Sequence, residues 1–158
     1  MKVTRSIAVL CVDELLARIS SSDVTPGAGS AGAVALALAA ACASKAVAIS
    51  LKHAPDDLDL KAALASFAKI ARSALADADR DSVVFEEFMR SGTPTAINEL
   101  VREGEDMAEL IARLGSQIDQ IEPRIRANMM GDLSAARSLI DAARSIQQRN
   151  EGEALRRR

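Results

Sequence analysis

One segment limits the fold of this chain more than any other. Residues 31–43 carry no charged side chain, and eight of these thirteen residues are alanine. Because alanine has the highest helix propensity, we expect a helix from Ser30 to about Leu51 that is apolar on every side. Such a helix lies either in a membrane or in a protein core. The uncharged run is shorter than the ~20 residues that cross a bilayer, and Lys45 follows it, which favours a buried central helix.

Composition extends the helical prediction to the whole chain. The 158 residues include 31 alanines and 16 leucines but only three aromatic residues, all of them phenylalanine. This length suffices for one domain, yet few large side chains are available to fill its core. We therefore predict an all-α fold, a single-domain helical bundle around the Ala-rich helix, which completes its core as a homodimer. The domain is expected over 1–150, with 151–158 as a solvated basic tail.

Breaks in the apolar pattern divide the chain into its predicted helices. Residues typical of turns lie at 20–29, 54–57 and 91–94, and further breaks lie at Pro123 and at 131–132, with 124–130 as a bent continuation of the preceding helix. Thr93 and Pro94 fit the N-cap and the first residue of a helix, and Pro123 is expected to end or kink that helix. The first element stays open, because Ile7 to Val12 fits either a helix or a short strand.

Charge and rare residue types exclude several classes of function. The net charge of −2 provides no basic surface for nucleic acid. The one histidine, His53, lies in a charged segment that we expect to be exposed, so a His/Cys metal site and a Ser-His-Asp triad lack their parts. Cys11 and Cys42 stand in apolar stretches and are predicted to be buried thiols of a reduced compartment. Without an export signal, the chain is expected to be cytoplasmic, with no membrane partner.

A glycine turn precedes the Ala-rich helix. Residues 27–32 read Gly-Ala-Gly-Ser-Ala-Gly, which matches the G-x-G-x-x-G spacing of dinucleotide sites. That motif requires a strand before it and an acidic residue in a second strand, and neither is predicted here. Two interpretations remain open. The glycines can admit a ligand to free N–H groups at the helix start, or they can serve only close helix packing.

One carboxylate interrupts an apolar stripe on the helix that follows residue 57. The stripe has alternating steps of four and three residues, and its members are Leu60, Leu64, Phe67, Ala71, Ala74, Ala78, Asp81, Phe85 and Phe88. A carboxylate that faces a core must be hydrogen-bonded, paired with a cation or protonated. Asp81 is therefore either an acid/base group or a structural residue paired with Arg72, Arg80 or a neighbouring chain.

Two further polar residues precede the last predicted helix. Asn128 and Asp132 lie four residues apart, on either side of Gly131. Periodicity alone favours structural roles, with Asp132 as the N-cap of the last helix and Asn128 at the end of the preceding segment.

These signals together resemble the cyclodeaminase/cyclohydrolase family, which includes the C-terminal domain of formiminotransferase-cyclodeaminase. Thr25-Pro26-Gly27-Ala28-Gly29-Ser30 and the helix after it resemble the family's Thr-Pro-Gly-Gly-Gly-Ser turn and its long helix of small residues. Asp81 to Phe85 look like its Asp-x-x-Ala-Phe segment, and Asn128 to Asp132 look like its Asn-x-x-Ser-Asp segment. Asn150 falls where the family has an asparagine, so the resemblance spans about 12–150.

The resemblance implies a folate one-carbon enzyme. Members of the family are all-helical homodimers that bind folate between subunits, without a metal or a covalently bound cofactor. They act on the one-carbon bridge between N5 and N10 of tetrahydrofolate, as methenyltetrahydrofolate cyclohydrolases or formiminotetrahydrofolate cyclodeaminases. By this resemblance Asp81 is the expected catalytic acid/base. The expected substrate-binding residues are Gly27, Gly29, Ser30, Phe85, Asn128 and Asp132.

Within that resemblance, Gly27, Gly29 and Ser30 would form a backbone cradle, and Phe85 would lie against a ring of the folate. Asn128 and Asp132 would bind the edge of the pterin. Ala28 and Ala48 differ from the family pattern, and these differences favour an alternative. The alternative is a non-catalytic helical dimer of the same fold that binds a small ligand or acts as a scaffold.

Overall fold

Five α-helices account for most of the chain, and their packing defines the site. The computed structural model describes residues 5–156, without the side chains of 154 and 155. The helices are α1 (Val12–Ile19), α2 (Ala28–Leu51), α3 (Leu58–Ser91), α4 (Pro94–Ile121) and α5 (Met130–Arg156). Short 3-10 turns lie at Ile7–Val9, Glu122–Arg124 and Ala127–Met129. No strand occurs in the described part of the chain, and the predicted all-α fold is confirmed.

The four long helices form an up-down-up-down bundle. α2 packs along α3 and α5, and α4 packs against the same two helices from the opposite side. At one end of the bundle, α2 and α4 begin while α3 and α5 finish; we call this the Gly27 end. The opposite end, where Pro123 lies between α4 and α5, is the Pro123 end. Residues far apart in sequence therefore meet at each end.

The stripe on α3 packs inward as its spacing predicts. Phe67, Ala74 and Ala78 are fully buried, and Phe88 is 7% exposed. Gly92 ends the helix with φ 56°, a left-handed conformation that glycine adopts without a Cβ penalty. Thr93 then accepts a hydrogen bond from the Ala96 N–H, and Pro94 is the first residue of α4, as expected. His53 is exposed, also as expected.

Helix α2 is central in the bundle but is not covered on every side. It is long and apolar enough to cross a membrane by length and composition, and 44% of its most apolar stretch is buried within the chain. The other face is an outward row of small and apolar residues, in which Leu38 is 52% exposed. The row consists of Ala31, Val34, Ala35, Leu38, Ala41 and Cys42. The predicted central helix is confirmed, and one of its faces is left uncovered within a single chain.

Several local predictions need correction. Cys11 is exposed and Cys42 half-buried, because α1 lies on the surface and Cys42 belongs to the outward row of α2. The segment from Ile7 forms a 3-10 turn and then α1, which excludes the strand. Helix α5 begins at Met130 and continues through Gly131, so Asp132 is not its N-cap. It also extends beyond residue 150 to Arg156, where a tail was expected.

Candidate active site

A cavity of about 320 Å³ lies at the Gly27 end of the bundle. The start of α2, the last part of α3, the first part of α4 and the last part of α5 surround it. Gly27, Gly29, Asp81 and Phe85 line it, so four of the predicted site residues meet in one place. Its volume is within the range of ligand pockets, which is roughly 300–1,000 Å³.

Asp81 closes the first turn of α2. Ser30 donates a hydrogen bond to its carboxylate from the backbone N–H, and the hydroxyl lies 2.8 Å from Asp81 Oδ2. Gly27, the N-cap of α2, has no side chain to accept such a bond. Asp81 therefore takes the role of a helix cap from another helix, and it lies where the helix dipole favours negative charge. Ser30 is fully buried beneath the cavity and does not line it.

Gly29 is required by this contact. A Cβ atom at position 29 would lie 2.0 Å from Asp81 Oδ1 and 2.5 Å from its Cγ. Both distances are shorter than any Cβ contact in a folded protein, so a side chain at this position would displace Asp81. The glycine turn thus serves close packing and also exposes backbone to a cavity. The contact supports the packing interpretation of the turn, and the binding of a ligand at its N–H groups stays a prediction.

Exclusion of solvent has the largest effect on the pKa of Asp81. Burial raises the pKa of this carboxyl above its ordinary value, against the two hydrogen bonds from Ser30. The predicted pairing with Arg80 is absent, because Arg80 binds Asp77 at 2.8 Å and approaches Glu103 and Asp106 at 3.4 and 3.2 Å. A shielded carboxyl in a cavity is suited to proton transfer near neutral pH.

Glu103 of α4 is a site residue that the sequence analysis missed. It lines the cavity and is only 8% exposed. Burial, and secondly the charge of Asp81, raise the pKa of Glu103 to about 7, whereas Arg80 acts to lower it. A signal was present in the sequence, since Glu103 lies three residues after Leu100 and four before Met107 on the apolar stripe of α4. The same reasoning that selected Asp81 applies to it.

Two phenylalanines form the apolar side of the site. Phe85 and Phe88 both line the cavity, with their ring centroids 6.0 Å apart and an interplanar angle of 44°. Thr25 at the cavity edge hydrogen-bonds to Glu86 and ties the turn before α2 to α3. Flat apolar surface therefore adjoins the Asp81 carboxylate, as its spacing from Phe85 predicts.

Asn128 and Asp132 lie at the Pro123 end, away from this cavity. Asp132 forms an ion pair with Lys45 at 3.3 Å, and Asn128 is exposed. Lys45 is sixteen residues beyond Gly29 on α2, which corresponds to about 24 Å along the helix. One chain by itself does not bring these two residues to Asp81. No group of three or more metal-ligating side chains occurs among the residues that the structure describes.

The comparisons agree with this architecture. The family model described as formiminotransferase-cyclodeaminase matches residues 11–150. No curated protein matches the chain significantly. A solved structure of formiminotetrahydrofolate cyclodeaminase from Thermotoga maritima is similar in fold, with a TM-score of 0.90 and 18% identity, over 95% of this chain and 80% of that one. The fold and the family match together show that the chain belongs to the formiminotransferase-cyclodeaminase family.

Proposed function

We propose that this protein acts on the one-carbon bridge between N5 and N10 of tetrahydrofolate, as a methenyltetrahydrofolate cyclohydrolase or a formiminotetrahydrofolate cyclodeaminase. The observation that carries the proposal is the position of Asp81, a buried carboxyl in a cavity at the start of α2. Family membership supports the substrate class. The substrate is a tetrahydrofolate derivative, and the proposed chemistry requires no metal.

Asp81 is the proton carrier in either reaction. In the cyclohydrolase reaction, water oxygen bonds to the electron-poor methenyl carbon and its proton passes to Asp81. One carbon–nitrogen bond of the bridge then breaks as the oxygen forms the C=O bond of a formyl group. The leaving nitrogen receives the proton from Asp81, and the second proton of the water is released to solvent. In the cyclodeaminase reaction, N10 bonds to the formimino carbon, and Asp81 transfers the proton with which ammonia leaves. Ser30 holds the carboxylate in place through both of its hydrogen bonds.

The ligand-contact roles follow from the lining of the cavity. Gly27 and Gly29 present backbone without side chains, and Phe85 offers a ring face for the pterin or the aminobenzoyl group. Asn128 and Asp132 have a role in this site only if a second copy of the chain provides them. The proposal therefore includes a homodimer.

The outward row of α2 is the proposed dimer interface. Its apolar residues are spaced by three and four positions over about three turns, and Leu38 is half-exposed near its centre. Antiparallel pairing of two α2 helices sets the Gly27 end of one chain beside the Pro123 end of the other. Asp132 of the partner subunit then approaches the cavity that contains Asp81. In this arrangement Asn128 and Asp132 act in the site of the other subunit, although they lie far from Asp81 of their own chain.

The assay that tests the reaction follows the loss of methenyltetrahydrofolate by absorbance. We expect Asp81→Asn to lower the rate by about 10²- to 10⁴-fold, because the amide cannot exchange the proton. Asp119→Asn, an exposed carboxylate at the Pro123 end, is the matched control and should keep the wild-type rate. A wild-type rate equal to background with both methenyl and formimino substrates would favour the non-catalytic alternative.

The interface is tested by sedimentation. Leu38→Glu places a charge in the outward row and should convert a dimer to a monomer with unchanged helicity. Leu58→Glu changes a leucine that is 75% exposed outside the row, so it should remain dimeric. A wild-type protein that sediments as a monomer at all concentrations would contradict the proposed assembly.

A further inference from the structure

The cavity at the Gly27 end is lined by acidic groups, and the arginine that pairs with two of them, Arg80, is not part of the lining. Its lining includes five carboxylate residues, namely Asp77, Asp81, Glu103, Glu151 and Glu153. No lysine, arginine or histidine occurs among the lining residues that the structure describes. A concave site of one sign concentrates ligands of the opposite charge. The folate resemblance did not indicate this property.

Glu103 provides a second and independent observation. Its Oε1 lies 3.4 Å from Arg80 Nε, a long contact, and its Oε2 is buried with no hydrogen-bond partner in the described residues. A buried carboxylate oxygen without a donor carries a free-energy cost. Because Glu103 lines the cavity, a turn of its side chain brings this oxygen to a ligand there, which can supply the missing donor. Arg80 does not remove this deficit, because its hydrogen bond to Glu103 is made to Oε1.

We propose that Glu103 and Asp81 form a recognition pair for an amidinium group, a cationic N–C–N unit, with Glu103 Oε2 accepting an N–H from it. The apolar wall of Phe85 and Phe88 accommodates a flat group attached to that cation. A protonated formimino group has this chemistry, including the N–H donors, whereas the methenyl bridge has the charge alone. The inference deepens the proposed function and rests on it for the folate carrier, while the ligand class rests on the cavity.

Titration of Glu103 makes the inference measurable. The charged groups around it are Asp77, Arg80 and Asp81 on α3, Asp106 on its own helix, and Glu151 and Glu153 on α5. Since the pKa of Glu103 is raised to about 7, a fraction of the side chain is protonated at pH 6.5. A bound cation favours the ionised form, so binding at this pH should release protons.

Benzamidinium and benzamide are suitable probes because they have the same shape and differ in charge. By calorimetry we expect the wild-type protein to bind benzamidinium about tenfold more tightly than benzamide, or better. Glu103→Gln should lower this ratio severalfold and reduce the proton release, while Asp81 retains a part of both. Glu105→Gln, an exposed residue of the same helix, should retain both properties. Circular dichroism verifies that each variant is folded.

Each outcome decides the inference. Equal binding of the two probes by the wild-type protein, or an unchanged ratio in Glu103→Gln, overturns it. If Glu103→Gln does not fold, the absence of proton release by the wild-type protein at pH 6.5 overturns it. Charge selectivity without turnover of either folate substrate supports this inference while the proposed function fails. Turnover of a folate substrate without charge selectivity supports the proposed function and overturns this inference.

Discussion

The carboxylates at the two ends of the bundle have different partners. At the Pro123 end, carboxylates are paired: Arg124 lies 3.0 Å from Asp57 and 2.7 Å from Asp59. Arg137 similarly lies 2.8 Å from Asp119 and 2.7 Å from Glu122. At the Gly27 end, Asp81 has only neutral donors, and one oxygen of Glu103 has none among the described residues. Arginine joins helices at both ends, but at the Gly27 end Arg80 lies outside the lining of the cavity, which carries only acidic charges among its described residues.

The pKa shifts follow this difference. The backbone N–H of Leu60 and the side chain of Arg124 hold the pKa of Asp57 below its usual value, although burial acts against them. Burial raises the pKa of Asp81 and of Glu103 instead. Carboxylates with lowered pKa values stabilise the fold when ionised, whereas raised values in a cavity are typical of functional sites. The comparison separates the paired acids of the Pro123 end from the two acids that are proposed to act in the cavity.

The largest effect should come from disturbing the contact that positions Asp81. Gly29→Ala places a Cβ atom 2.0 Å from Asp81 Oδ1, so the carboxylate or the helix must shift. We expect a loss of about 1–3 kcal/mol in the free energy of unfolding. We also expect roughly a hundredfold loss of folate turnover, since small misplacements at a reacting centre are costly.

Gly115→Ala is the matched control for this change. Gly115 is also in a helix, but a Cβ there has nothing within 4 Å, so the variant should be more stable by about 0.5–1 kcal/mol. Denaturant unfolding and the absorbance assay measure both effects. Wild-type stability and turnover in Gly29→Ala would show that Asp81 does not depend on this contact.

A smaller effect should appear in the pH dependence of stability. The folded-state pKa of Glu103 is about 7 and exceeds its unfolded value, so folding takes up a proton between about pH 4.5 and 7. Its contribution is therefore full below this range and is lost as the pH rises through 7. Glu103→Gln should lessen the decline between pH 5 and 8 by on the order of 1–2 kcal/mol, with solvent screening allowed for.

Asp77 and Asp81 also have raised pKa values and will leave some pH dependence in that variant. Urea unfolding at a series of pH values measures the difference between the two proteins. Parallel stability curves for Glu103→Gln and the wild type would exclude Glu103 as a group that titrates in this range.

The smallest effect belongs to the Pro123 end. Asp119→Asn removes an ion pair with Arg137 in which the Asp119 side chain is 71% exposed. Because Arg137 retains Glu122, we expect a change within about 0.5 kcal/mol in the free energy of unfolding. Thermal unfolding measures it, together with the folate assay. A large loss of turnover in this variant would show that Asp119 itself contributes to the site.

Periodicity and turn chemistry were sufficient to predict much of this molecule. The Ala-rich run predicts α2, Thr93 and Pro94 predict the start of α4, and the stripe on α3 predicts that Asp81 faces inward. Each of these depends on neighbours within about four residues, which determine helix formation and the direction of a side chain. The same reasoning, applied to the apolar stripe of α4, predicts that Glu103 also faces inward.

The partners of these residues depended on the tertiary structure. The contact of Gly29 with Asp81 and the pairing of Arg80 with Glu103 each join two helices, and the separation of Asp132 from the cavity depends on how α5 packs against α2. The amino-acid sequence by itself determined the helices, their breaks and the inward carboxyl of α3, because those depend on local backbone preference and helical spacing. Only the packing of the four long helices decided which acids were paired, since pairing depends on which helix ends meet in space.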